Sequence, residues 1–355
     1  MIPDGLSSRN GLDRLALWFE NFASHEVNST SPLYGRLTHG VAQHEDLLEL
    51  ASHATREPIP NMLFGAVHYL LLKGAAHPLA AYYPSVSGAD TRTDDPLPAL
   101  RDFCRQYRAE IIHLLQTRRV QTNEVNRCAV LLPAFGLVAR QEPGRKLALI
   151  EIGASAGLNL LWDYYRYDYG AGRKVGPADA ALALTNEPRG AQFPPIPAAL
   201  PIVCDRLGLD LNPVDLRDED AVLWLRALIW PEHAQRADRL QQALAIAQAY
   251  LPEVRSGDAL DLLPDALNHS DEDCAVCVYH SFVINQFSEE ARQRLTDLLA
   301  EGSQQRPIYR LSIEWMHSPR PQLELRTYRG GAEVDHAILA ACDGHATWME
   351  WLGPA

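Results

Sequence analysis

The stretch Leu147-Ala-Leu-Ile-Glu-Ile-Gly-Ala-Ser-Ala-Gly-Leu-Asn-Leu-Leu161 limits most what this chain can become. An apolar run of strand formers ends there in a Gly/Ser/Ala turn and passes into a helical pattern. A strand over Leu147–Ile152 and a helix over Leu158–Tyr165 are expected. Residues ahead of the stretch carry helical periodicity, and those behind it alternate between strand-like and helix-like segments. The pattern predicts an α/β fold in which a helical N-terminal domain (residues 1–142) precedes a mostly parallel sheet domain (143–355) with an antiparallel terminal pair. The turn Gly153–Gly157 admits two chemical readings. One is a cofactor-binding loop behind the acidic strand end Glu151, and the other is a serine nucleophile elbow around Ser155.

With 355 residues, 47% hydrophobic and 22% charged, the chain is ordinary in composition and long enough for two domains. Its net charge of −13 argues against nucleic acid as a partner, because a polyanion is repelled at long range. No basic start with an apolar core opens the chain, and no run approaches the ~20 apolar residues that span a bilayer. A soluble cytoplasmic protein without membrane contact is the expectation. Six scattered cysteines suit reduced, buried thiols. Cys274 and Cys277 sit three apart on an apolar strand and should face opposite sides of it, so a metal role is not expected.

Helices are expected at Leu12–Phe22, from Ser31-Pro32 with Ser31 as cap, and through the apolar run Met62–Leu72. That run carries His68, either a satisfied core histidine or a titratable group facing a cleft. Ser85–Pro98 reads as a surface loop and Leu100–Leu115 as one long helix. Thr122 or Asn123 is placed to cap the next helix, where Glu124 and Arg127 form either a surface pair or a ligand-facing cluster. The aromatic run Tyr164–Tyr169 and the Pro/Gly-rich stretch to residue 201 read as an insertion or lid. Strands are expected to end at Asp210, to deliver Asp258, to cover Cys274–Phe282 and to cover Ile308–Trp315. Glu324–Tyr328 and Ala346–Trp351 give the terminal pair.

Ligands of an open parallel sheet bind at the carboxyl ends of its strands. The order here is an acidic strand and Gly-rich turn, a second acidic strand end, Gly257-Asp-Ala-Leu260 at a third, and His280-Ser281 after a fourth. That order resembles class I S-adenosylmethionine-dependent methyltransferases. The resemblance implies a Rossmann-like sheet and S-adenosylmethionine as cofactor, held by Glu151, Gly153, Ser155 and Gly157 at the turn. It also implies Asp210 on the ribose hydroxyls and Asp258-Ala259 at the adenine. Ser155 replaces the middle glycine, and Asp210 comes late unless residues 164–201 are inserted.

A closer resemblance rests on Val67-His68-Tyr69, Thr122-Asn-Glu-Val-Asn-Arg127, Glu151–Leu160, Gly208-Leu-Asp-Leu-Asn-Pro213 and Gly257–Leu260. These motifs look like the bacterial family catalogued as domain of unknown function 2332, which brings no activity with it. Three functions follow. The first is methyl transfer to a small polar acceptor, with His280 and Glu124 as candidate catalytic groups and His68, Asn123 and Arg127 as acceptor-binding residues. The second is hydrolysis by Ser155 with His345 as its late histidine. The third is a catalytically silent cofactor-binding protein of the same fold.

Overall fold

In the computed structural model, which describes residues 8–27, 30–121, 123–271, 273–316 and 318–354, the chain forms two compact units. One takes the chain up to residue 122 together with Asp218–Asp238, and the other takes Asn123–Arg217 and Arg239–Ala355. The first unit opens with α1 (Arg9–Phe22), α2 (Pro32–Ala42), α3 (Glu45–Ala51), α4 (Ile59–Leu72), α5 (Pro84–Ser87), α6 (Leu97–Gln106) and α7 (Arg108–Thr117). Ser31 caps α2 by accepting from the Tyr34 amide, with Pro32 at the first helical position as the sequence suggests. The long helix expected over Leu100–Leu115 is two. Tyr107 leaves the helical backbone region (φ −105°, ψ 26°) while its ring packs 4.5 Å from that of Phe103.

The boundary expected at residue 142 moves for a physical reason. The next helix, α8 (Arg127–Gln141), is buried from Arg127 to Val138. It lies against the sheet, where Phe135 stacks on Trp162 at 4.8 Å and meets Tyr279 edge-on at 5.4 Å. In exchange, α9 (Glu219–Ala227) adds Trp224 and Ala227 to the core of the helical unit. There the indole N–H of Trp224 donates to Arg119 O at 2.7 Å.

The second unit contains β1 (Lys146–Ile152), β2 (Arg166–Asp168), β3 (Lys174–Val175), β4 (Ala183–Thr185), β5 (Glu187–Arg189), β6 (Val203–Asp210), β7 (Glu253–Ser256), β8 (Cys274–Ser281), β9 (Ile308–Glu314), β10 (Gln322–Arg329), β11 (Ala332–Cys342) and β12 (Trp348–Trp351). Nine of them form one sheet in the order β5-β12-β11-β10-β9-β8-β1-β6-β7. The pairings from β9 to β7 are all parallel. β10, β11 and β12 follow as an antiparallel meander. The expected terminal pair is thus three strands, because the half-exposed β11 inserts between the two segments read from sequence. The chain also forms α10 (Ala234–Ala249), α11 (Ala259–His269) and α12 (Glu289–Gly302).

Both faces of the central parallel strands β1, β8 and β9 are covered, which is why they read as largely apolar runs, whereas the edge strand β7 and the start of β6 are exposed. Ala148, Ile150 and Ile152 of β1 join Val276 and Val278 of β8 under α11 and α12. The alternate residues Glu151 and Tyr279 share the opposite face. The segment read as an insertion or lid is folded into the unit. β2, β3 and β4 make a small sheet, and Tyr165, Tyr167 and Tyr169 are buried with their hydroxyls donated to Leu158 O, Trp162 O and Ala129 O. Residues 158–164 form a 3-10 helix kinked at Leu161 rather than an α-helix. The expectation of six reduced cysteines is also corrected. A bulge between Leu147 and Ala148 leaves Cys204 out of register on β6, and it is joined in a disulfide to Cys274. The other four are buried free thiols.

Candidate active site

Within the parallel strands the chain order reverses between β1 and β8, and the turn Gly153–Gly157 leaves β1 at that reversal. Gly153, Ser155 and Gly157 all have positive φ, at 73°, 53° and 69°. A side chain at Gly153 would run into Val283, and one at Gly157 would meet Pro252 Cγ at 2.7 Å. Ser155 is held in the left-handed region by three bonds. Its amide donates to Asp210 Oδ2 at 2.8 Å, its hydroxyl accepts from Asn123 Nδ2 at 2.8 Å, and its carbonyl accepts from Val214 N at 3.1 Å. The Ala156 amide donates to Asn123 Oδ1 at 3.2 Å, and the Gly153 amide to Leu209 O at 2.8 Å.

Asn123 therefore braces this turn instead of capping α8, whose cap position is Asn126; Thr122 lies outside the described residues. The Asn126 amide group donates to Thr185 O and Ala346 O. Asp210, half-buried at the end of β6, also accepts from Asn212 N at 2.7 Å, and its carbonyl accepts from Gly257 N at 2.9 Å. Asp258 caps α11 through Leu260 N at 2.8 Å. Ala259 is buried in the sheet core, so its side chain offers no ligand contact. Glu151 is buried behind the turn between Asn159 Nδ2 at 3.2 Å and Tyr279 Oη at 3.4 Å. Burial raises its pKa to about 8 against the opposing pull of those bonds and of Arg127, so it carries a proton at neutral pH.

His280, expected as a base from its place after β8, has both ring nitrogens engaged within the protein. It is fully buried, with Nδ1 2.7 Å from Glu314 Oε1 and Nε2 accepting from Arg310 Nε at 3.1 Å. Glu314 Oε1 also accepts from the Val283 and Ile284 amides. The pair thus anchors the loop that presses Val283 onto Gly153. His68, also expected to meet ligand, is buried in α4 of the helical unit with both ring nitrogens bonded.

A second polar group gathers at the head of α8. The buried Glu124 carboxylate lies 3.6 Å from Arg239 Nη2 and 3.8 Å from His345 Nδ1, whose side chain is 46% exposed. Arg127 donates to Ser281 Oγ at 3.1 Å, and its guanidinium lies 4.3 Å above the ring of Phe282. Phe282 has φ 57° and packs on the half-exposed Trp315. Arg239, Phe282 and Trp315 carried no sequence signal, since they come from a surface helix and two strand ends. Ser155 is bonded to Asn123 and not to a histidine, while His345 pairs with Glu124, so the elbow reading lacks its base. Among the described residues, no group of three His, Cys, Asp or Glu side chains is arranged to hold a metal ion. No helix among them is long and apolar enough to cross a membrane.

The chain matches the family described as an uncharacterized protein conserved in bacteria (DUF2332) over residues 16–351. It belongs to the DUF2332 family. No curated protein and no solved structure is significantly similar to it. The match takes in both polar groups described above, from Asn123 to His345, so in this DUF2332 chain the functional reading rests on their geometry.

Proposed function

We propose that the protein is an S-adenosylmethionine-dependent methyltransferase acting on a small polar acceptor. The observation that carries the reading is the reversal of strand order. The third, second, first, fourth and fifth parallel strands lie side by side, as in doubly wound nucleotide-binding folds, and the glycine turn and two acidic strand ends converge where the order switches. The residues present fit this cofactor better than a dinucleotide. The amides of Gly153, Ser155, Ala156 and Gly157 are already donated within the protein, which leaves no cradle for a pyrophosphate.

Asp210 accepts one backbone bond per carboxylate oxygen, so each oxygen keeps a lone pair for a ribose diol. The bound cofactor would supply the electrophilic methyl group. Arg127 and Trp315 would hold a polar or planar acceptor, and His345, backed by Glu124, would take a proton from it where it has one.

Calorimetric titration of the intact protein tests the reading. S-adenosylmethionine and its demethylated product should both bind, and Asp210→Asn should weaken both by roughly tenfold or more, the loss of one charge-assisted bond. A folded protein that binds neither refutes it.

A further inference from the structure

The helical unit holds a second chemical arrangement, independent of methyl transfer. In α4 the His68 ring is 2% exposed, its Nδ1 2.9 Å from Ala227 O and its Nε2 2.7 Å from Ser85 Oγ. A carbonyl can only accept, so Nδ1 carries the hydrogen and Nε2 accepts from the serine hydroxyl. Ser85, on the short helix α5, is exposed to solvent. An accessible hydroxyl is thus bonded to a neutral imidazole whose far nitrogen is fixed by a third group, the relation that marks an activated nucleophile.

Two features restrict what such a pair accepts. Burial, partly offset by the bonds to Ala227 and Ile229, lowers the His68 pKa to about 4, which keeps the ring neutral but makes it a weak base. The amides of Val86 and Ser87 are committed to Tyr83 O at 2.8 and 2.9 Å and are not offered to a developing oxyanion. Weak general-base help suffices where the leaving group departs without a proton.

We propose that Ser85 and His68, held by the Ala227 carbonyl, form a nucleophilic dyad that takes an acyl group from activated donors, aryl esters or thioesters. Ser85 Oγ attacks the acyl carbon while its proton passes to His68 Nε2. The bond from that carbon to the phenolate or thiolate breaks with its electron pair. The proton on Nε2 then leaves to solvent or to the departed anion. Because His68 is a weak base, the serine ester persists. It is cleaved slowly when water gives a proton to His68 Nε2 and adds to the acyl carbon; the acyl–Oγ bond breaks, Oγ takes that proton back and the free acid leaves.

The test treats the full-length protein with 4-nitrophenyl acetate, followed by peptide mass mapping. Acetyl on Ser85, with nitrophenolate released roughly tenfold or more faster than from Ser85→Ala, is the expected result. A folded wild-type chain acetylated on Lys73 and Lys174 but not on Ser85 overturns the proposal. His68→Gln, where circular dichroism shows it folded, should lose the rate advantage, and an unchanged rate overturns the dyad. Should that variant not fold, the wild-type rate in deuterium oxide decides. Slower acetylation supports proton transfer to His68, and equal rates refute it.

Discussion

Two buried histidines, one in each unit, face the same burial and resolve it differently. His68 and His280 are 2% and 0% exposed, and both donate from Nδ1. His68 gives that proton to a neutral carbonyl and keeps an exposed hydroxyl on its other nitrogen. His280 gives it to the Glu314 carboxylate and has the Arg310 guanidinium on the other side. The first is hydrogen-bonded to neutral groups on both sides and open to solvent chemistry through Ser85. The second sits between opposite charges and anchors a loop. Burial alone, then, does not say what a histidine is for; the charge and accessibility of its partners do.

The contrast can be broken from either end. Glu314→Ala removes one acceptor shared by an imidazole and two backbone amides inside the sheet unit. It should destabilise the protein by about 3–5 kcal/mol in urea unfolding, the scale for breaking a buried polar pair. A loss under 1 kcal/mol would mean that the loop after β8 is held by packing instead.

The next effect concerns acid. His68 has a folded pKa of about 4, below its ordinary 6.5, so the unfolded chain takes up a proton first as pH falls. Its contribution is complete above about pH 6.5 and is lost progressively toward pH 4, by roughly 3 kcal/mol. His280 is shifted the same way by desolvation. Urea midpoints for His68→Gln at pH 7.5 and 4.5 should lie closer together than those of the wild type. At neutral pH, His68→Leu leaves Ala227 O without its bond and should cost about 1–3 kcal/mol. The smallest effect separates structure from chemistry: Ser85→Ala, at an exposed position, should change stability by less than about 0.5 kcal/mol while abolishing acetylation.

Much of this was legible in the sequence because the central parallel strands are covered on both faces. Full coverage writes largely apolar runs, so β1, β8 and β9 announced themselves, and β6 was legible from its buried Leu207–Leu209 end and the acid that closes it. β11 did not, since its first half is exposed on both faces and reads as a polar loop. The tyrosine run 165–169 misled because aromatic rings with polar tips suit a lid as well as a buried small sheet; only the donation of their hydroxyls to backbone carbonyls tells the two apart. At the candidate site, Asn123, Glu124 and Arg127 stood out as a polar head on an apolar helix. Their partners Arg239, Ser281 and His345 are more than 100 residues away in the chain, and no local pattern specifies such a pairing. The burial of His280 was not legible because strand position predicts which end a residue occupies, not the carboxylate on the neighbouring strand that claims it.

The helical unit is discontinuous, and that matters on the ribosome. Trp224 and Ala227 belong to its core, and the chain returns to it at Asp218–Asp238 after 95 residues, Asn123–Arg217, given to the other unit. Domains generally fold as they emerge, N-terminal first. This one cannot complete its core until nearly two-thirds of the polypeptide has been synthesised. Until then its apolar faces need a temporary cover, and a fragment ending at residue 142 should be a client for chaperones rather than a soluble domain.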